Sequence, residues 1–228
     1  MLKLNDFVDL GLVINGSLFP DDPVQLLSSV KALLENVVVE ALQKTNHFNN
    51  EHEYSSIEGM VYIDVTAKVG RFTCIKGPCY IGPGAEIRHG VNLSGNVYIG
   101  KDVIVGHGTE IKNSILFDGA EVTHGNYIIN SILGREAKLG AGTKVSNTVL
   151  KFGSLIPVGR SEELVSEEIS SLTLVDKDRQ VTVASREFGI IAGDGVRTGA
   201  NSILEVGSLL YPNVVLSSGE HFWGTKCL

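Results

Sequence analysis

From Ile57, aliphatic residues return every six positions: Ile63, Val69, Ile75, Ile81, Ile87, Leu93, Ile99, Val105 and Ile111. Four places further on in each hexad runs a second track, small or β-branched throughout: Val61, Ala67, Thr73, Cys79, Ala85, Val91, Val97, Val103, Thr109 and Ile115. A helix peaks at 3.6 residues and a half-buried strand at 2, so neither explains this period. A hexapeptide repeat does. Each hexad makes one short strand and one turn, and three hexads close a triangular coil of about 18 residues that pairs with the next. The period therefore predicts an all-β parallel β-helix with the aliphatic track inside. Gly82, Gly100 and Gly106 each follow an inward residue and are expected to let the chain turn tightly there.

Past Ile111 the period slips. The series continues Leu116, Val122, Ile128, Leu133, Leu139 and Val145, with two five-residue steps. Hexads resume over Gly189–Leu216, where Ile191, Ile203, Leu209 and Val215 keep the period and Arg197 falls in an aliphatic slot. The chain thus divides into four segments: an N-terminal helical cap (1–56), the β-helix (57–153), an excursion (154–188), and the final coils with the tail (189–228). Within the cap, residues 21–45 read as one α-helix. Asp22 can cap it, Pro23 suits its first turn, and Val24, Leu27, Val30, Leu34, Val37, Val38 and Ala41 form an apolar stripe. Its expected place is over the open end of the β-helix, which would otherwise expose backbone and core; binding a partner is the alternative. In the excursion, alternation around Asp176–Arg179 predicts a β-hairpin, either solvated or reaching a neighbouring subunit.

A net charge of −7 gives nucleic-acid binding no electrostatic support. Cys74, Cys79 and Cys227 lack the spacing of a disulfide framework or a structural zinc site. Asp6 and Asp9 interrupt the apolar N-terminal run, which argues against a signal peptide, and no apolar stretch approaches the roughly 20 residues of a membrane span. The expectation is a cytoplasmic protein that uses neither membrane nor nucleic acid.

A closed coil buries its interior, so chemistry must sit on an outer face or between subunits. His89 and His107 are 18 residues apart, and His124 holds the same hexad position once the slip is counted. Three imidazoles in a column could bind a metal, or be three exposed turn residues; the second is the reading taken, and no metal site is expected. The histidine pair H-x-x-x-x-H, which left-handed β-helix carbonic anhydrases use to hold zinc, does not occur in the repeat.

Hexads of the form [LIV]-G-x-x-[STAV]-x resemble the left-handed β-helix, an exception to the usual right-handed crossover. The stretch "EIKNSILFDGAEVTHGNYIINSILGREAKLGAGTKVSN" resembles the acetyltransferase domain of the bacterial bifunctional enzyme that makes UDP-N-acetylglucosamine. It is also similar to sugar-1-phosphate nucleotidylyltransferases that carry the same acyltransferase arm. The resemblance covers roughly Ile75 to Leu216 without the excursion, and "FGIIAGDGVRTGAN" matches the family's return to the repeat after its loop. It implies an acetyl-CoA-dependent N-acetyltransferase acting on an amino-sugar phosphate, with sites shared between the subunits of a homotrimer. By the same resemblance His124 is the general base, a task suited to an imidazole that titrates near working pH. Lys112 holds the sugar or its phosphate as a point charge. Tyr127, Glu110 and Asn147 line the sugar pocket, and Lys138 stands where the family has a further pocket asparagine. Gly193 and Tyr211 fall on the CoA side, where backbone N–H groups would stabilise the oxyanion.

Besides Lys138, two further positions depart from the family. Its phosphate-gripping arginine falls on Ser94, with Arg88 one hexad earlier on another side of the triangle, and its second phosphate lysine has only Lys151 nearby. The alternative function is thus a non-catalytic trimer that binds a sugar nucleotide or assembles with a nucleotidyltransferase. Residues 1–56 hold no L-x-x-G-x-G-T motif and are too short for a doubly wound sheet, so nucleotide transfer is not expected of this chain.

Overall fold

The structure, a computed structural model, describes residues 2–10, 19–44, 55–147, 172–176, 179–183 and 187–228. It is a left-handed parallel β-helix of about seven turns with one helix near the N-terminus. In the first coil the strands are Ser56–Glu58, Val61–Ile63 and Lys68–Val69, one on each of three faces. Each pairs in parallel with its counterpart one coil on: Ile57 with Ile75, Tyr62 with Tyr80, Val69 with Ile87. The third face is a separate seven-stranded sheet ending at Val215–Leu216, whereas the first two are joined where Asn92–Ile99 and Glu110–Leu116 run on through their shared corner.

The six-residue track does point inward. Ile75, Ile81, Ile87, Leu93, Ile99, Val105, Ile111 and Leu116 are all at most 1% exposed and form one core that continues through Val122, Ile128, Leu133, Leu139 and Val145. The slip lies at the corner between the first and second faces. Ser94 pairs with Lys112 but Val97 pairs with Ser114, so Asn113 does alone what Gly95 and Asn96 do one coil earlier. Asn96, Asn113 and Asn130 all turn this corner with positive φ. Their amides chain together, Asn96 Nδ2 to Asn113 Oδ1 (3.3 Å) and Asn113 Nδ2 to Asn130 Oδ1 (2.7 Å).

Losing one residue reverses the parity of the strand beyond the corner. Ser114 therefore takes the inward place that Val97 holds one coil earlier, and Ile115 turns out beside Tyr98. The final coils are likewise one residue out of the expected phase. Ala192, Leu204, Leu210 and Leu216 point in, with buried Thr198 completing the track, while Ile203 and Val215 are exposed. Arg197 is outside and fills no aliphatic slot. The glycines at 82, 100 and 106 are not the turning residues either; Gly84, Asp102 and Gly108 carry the positive φ. Gly106 is needed for close stacking, since a methyl group there would lie 2.5 Å from the Thr123 carbonyl.

Helix α1 (Pro23–Lys44) begins as expected, with Asp22 Oδ1 accepting from the N–H groups of Val24 (2.9 Å) and Gln25 (3.1 Å). It does not sit over the end coil. It lies along the second face against the strands from Val61–Ile63 to Glu110–Leu116, because that face is apolar outside as well as inside. Tyr62, Tyr80 and Tyr98 stack there with centroids 5.1 Å apart, close to the coil spacing, and Ile115, Ile132, Ile191 and Leu209 extend the column. Leu26, Val30, Leu34, Val38 and the N-terminal Leu4, Phe7 and Val8 close over it. The predicted hairpin exists, Leu172–Asp176 antiparallel to Arg179–Val183, and Leu174 is buried in this same cluster. The rest of 154–186 lies outside the described residues. No helix among the described residues is long and apolar enough to cross a membrane.

Candidate functional site

The first face and the corner that precedes it carry most of the polar residues expected to form a site. Glu110 and Tyr127 are register partners in adjacent coils, and Lys144 continues their outward column. Lys112 is two residues further along its strand, also outward and exposed, with Ser94 beneath it as its register partner. Strand alternation explains the set: residues at i and i+2 share the outer face while Ile111 and Ile128 fill the core between.

His124 sits at the corner from which the chain enters this face. His89, His107 and His124 form a stacked column, with centroids 5.0 Å and then 4.0 Å apart. His107 is exposed, yet it is held below the ordinary imidazole value by lost hydration between its stacked neighbours, and by the charges of His124, His89 and Arg88. Rings packed this way present faces, not converging lone pairs, and no cluster fit to hold a metal occurs among the described residues. The column stops at His124. One coil on, the N–H of Gly142 donates to the carbonyl of His124, and the corner residue there is Ala141, so no further ring continues the stack. His124 is half-buried, and its Nδ1 is sealed from solvent above Gly106 with no hydrogen-bond partner in the protein. Nε2 is left as the nitrogen able to meet a substrate.

Lys144 is not among the residues that the sequence points to. Its Nζ donates to the carbonyl of Gly125 at 2.6 Å and so places a cation beside the His124 turn. The signal is present, since Lys144 lies one shortened coil beyond Tyr127, but it appears only when coils are counted as 17 residues rather than 18.

The other expected residues lie elsewhere. Lys138 is on the third face, round the corner from Lys112, and its Nζ is paired with Glu121 at 2.8 Å. Arg88 is on that face too, bonded to Glu86 at 2.8 Å, as its hexad position requires. Asn147 is at the far edge of the first face, where its carbonyl accepts from Phe188 N–H (3.3 Å) as the chain returns from the excursion. Gly193 is at the opposite corner, between the second and third faces. Its N–H already donates to Leu210 O (2.8 Å), and a methyl group on it would lie 2.9 Å from Phe7 O. Tyr211 packs its ring on Phe7, centroids 4.5 Å apart. The amide expected to face an oxyanion is thus spent on coil stacking, and the N-terminal segment covers both residues. Lys151 lies outside the described residues.

Residues 75–219 match the family model described as "GMPPB C-terminal domain", which is well over half of the chain. The chain belongs to this family. No curated protein matches it. Solved structures similar to this GMPPB C-terminal-domain chain include acetyltransferases. The polysialic acid O-acetyltransferase OatWY is 16% identical, with 77% of this chain and 82% of that one covered, at a TM-score of 0.44. A hexapeptide transferase family protein from Anaplasma phagocytophilum is 20% identical over 70% of each chain, at 0.30. PerB from Caulobacter crescentus, solved with CoA and GDP-perosamine, is 12% identical over 86% of this chain and 62% of that one, at 0.24.

Proposed function

We propose that the protein is an acetyl-CoA-dependent N-acetyltransferase whose acceptor is an amino-sugar phosphate or sugar nucleotide, working as a homotrimer. One observation carries the reading: His124, Glu110, Tyr127 and Lys112 lie on one corner and its adjoining face, with the imidazole half-buried and sealed at Nδ1. In the reaction the acceptor amine attacks the thioester carbonyl of acetyl-CoA. His124 Nε2 takes the amine proton, the C–S bond breaks, and the imidazolium returns a proton to the departing thiolate. Lys112 answers the phosphate, with Lys144 as a second cation across the face; Tyr127 and Glu110 contact the sugar. Donors for the oxyanion come from a neighbouring subunit rather than from Gly193 of the same chain.

The test is release of free CoA thiol from acetyl-CoA with glucosamine-1-phosphate and other amino-sugar phosphates or nucleotides as acceptors. Thiol release that needs both acceptor and His124 is expected. A trimeric preparation that releases none with any acceptor overturns the proposal. It would favour the second reading, a binding or assembly module, to which the committed Gly193 amide and the family's description as a C-terminal domain also point.

A further inference from the structure

Three side-chain atoms among the described residues are buried without any hydrogen-bond partner in the protein: His124 Nδ1, Asn126 Nδ2 and Asn126 Oδ1. All three belong to one turn. Asn126 is 2% exposed and occupies the inward column that runs Thr73, Val91, Thr109, Asn126, Thr143 and Ser202. Three of its members share one bond. Thr73, Thr143 and Ser202 each donate to the carbonyl three residues earlier, at Gly70 (2.6 Å), Gly140 (2.8 Å) and Gly199 (2.9 Å), which ties down the turn. At Asn126 the equivalent carbonyl, Thr123 O, is already taken by Thr109 Oγ1 from the coil below (2.9 Å). A hydroxyl or a valine would therefore serve the fold better here than a carboxamide with both ends unpaired. The column departs from short hydroxyls to an amide only in the coil that bears the last imidazole.

We infer that Asn126 is the positioning residue for His124: its Oδ1 accepts the Nδ1–H of the imidazole, by rotation of the carboxamide or through one bridging water. That bond keeps the proton on Nδ1 and leaves Nε2 as a free base on the substrate side. The role presupposes the acetyl-transfer reading for its use, but the bond itself does not.

The test uses histidine labelled with 15N in the full-length protein, with His124 signals assigned through His124→Gln. The wild type is expected to show His124 in one tautomer, protonated at Nδ1. In Asn126→Thr and Asn126→Val, both residue types of the same column, His124 should relax to a mixture of tautomers while His89 and His107 stay as they were. Thermal unfolding checks the fold, and Asn126→Val is expected to unfold no earlier than wild type. The kcat for acetyl transfer should fall on the order of 10²-fold in both variants with KM for acetyl-CoA unchanged, the scale of a misaimed catalytic group. A wild-type His124 protonated at Nε2, or a tautomer unmoved by both substitutions, overturns the inference even if acetyl transfer is found. A tautomer that moves as stated in a protein that transfers no acetyl group upholds the bond and removes the proposed function instead.

Discussion

Two ladders of rings climb this β-helix, and their difference separates what holds the molecule together from what it can do. Tyr62, Tyr80 and Tyr98 stack on the second face at 5.1 Å, tilted by 15° and 6°. His89, His107 and His124 stack on the corner between the third and first faces at 5.0 Å and 4.0 Å. Each repeats a side chain at the same place in successive coils, so the coil spacing itself brings the rings into contact. The tyrosines are at most 7% exposed beneath α1, and burial pushes the Tyr80 hydroxyl up to about 12, so the middle ring of this ladder stays neutral throughout the working pH range. The first two histidines lie exposed at a corner and the last is half-buried there, with no ring stacked beyond it. Position in the coil makes a ladder; what covers it decides whether the ladder is structure or chemistry.

The sharpest way to break this contrast is to remove one ring from each ladder. Tyr98→Ala empties the contact among Phe19, Phe117 and α1 and should cost about 3–5 kcal/mol, read as a lowered denaturation midpoint. His107→Ala should leave that midpoint almost where it was. Equal losses from the two would mean that the histidine stack is structural. His124→Ala should reverse the pattern, lowering acetyl transfer by roughly 10²–10⁴-fold with little change in unfolding; an untouched rate would remove His124 as the base.

Smaller effects sharpen the same division. Lys112→Ala should raise KM for a phosphorylated acceptor by about tenfold or more, the scale of one charge-assisted hydrogen bond, and leave KM for acetyl-CoA alone. If instead KM for acetyl-CoA rises, the assignment of the first face to the acceptor is wrong. Asp22→Ala removes the oxygen that meets two amides at the start of α1 and should cost about 1 kcal/mol. Transfer should not change, because the helix covers the tyrosine ladder and not the histidine one.

How much of this the sequence carries depends on where parity is protected. Between Ile57 and Ile111 every inward residue has a polar or small neighbour, so a period of six has only one solution. At Ser114–Ile115, Ile190–Ile191 and Ile203–Leu204 either phase is a plausible core, and periodicity alone selects the wrong one. Only the missing residue at Asn113 decides the first of these, by flipping the side chains of the strand beyond it. The helix is legible to within two residues, but its seat is not, because the apolar outer column is itself spaced by whole coils. In the candidate site, the placing of Glu110, Lys112, His124 and Tyr127 on one corner and its adjoining face is legible because they are close in sequence. Lys144 and Asn126 are not, since one acts through a neighbouring coil and the other lies in what looks like a core column. The cover over Gly193 is the hardest to read, with Phe7 nearly the whole chain away.

Acid should part the ladders most gently. His107 loses hydration between the rings of His89 and His124, and these two and Arg88 add positive charge, so the folded protein disfavours its protonation. Its folded pKa is therefore below the unfolded imidazole value of about 6.5. Above that value neither state binds the proton and the column contributes no pH dependence. As pH falls below it, the unfolded chain takes up a proton that the folded one does not, and stability declines until His107 also protonates in the fold. The measurement is the thermal midpoint of wild type and His107→Gln between pH 7.5 and 5.5. Wild type should lose more on acidification than the variant, and high salt should narrow only the part of the gap that comes from charge. Tyr80→Phe, on the buried ladder, should shift both ends of the pH range alike. If His107→Gln follows wild type across the whole range, the imidazoles do not feel one another, and the stacking at the corner has no electrostatic consequence.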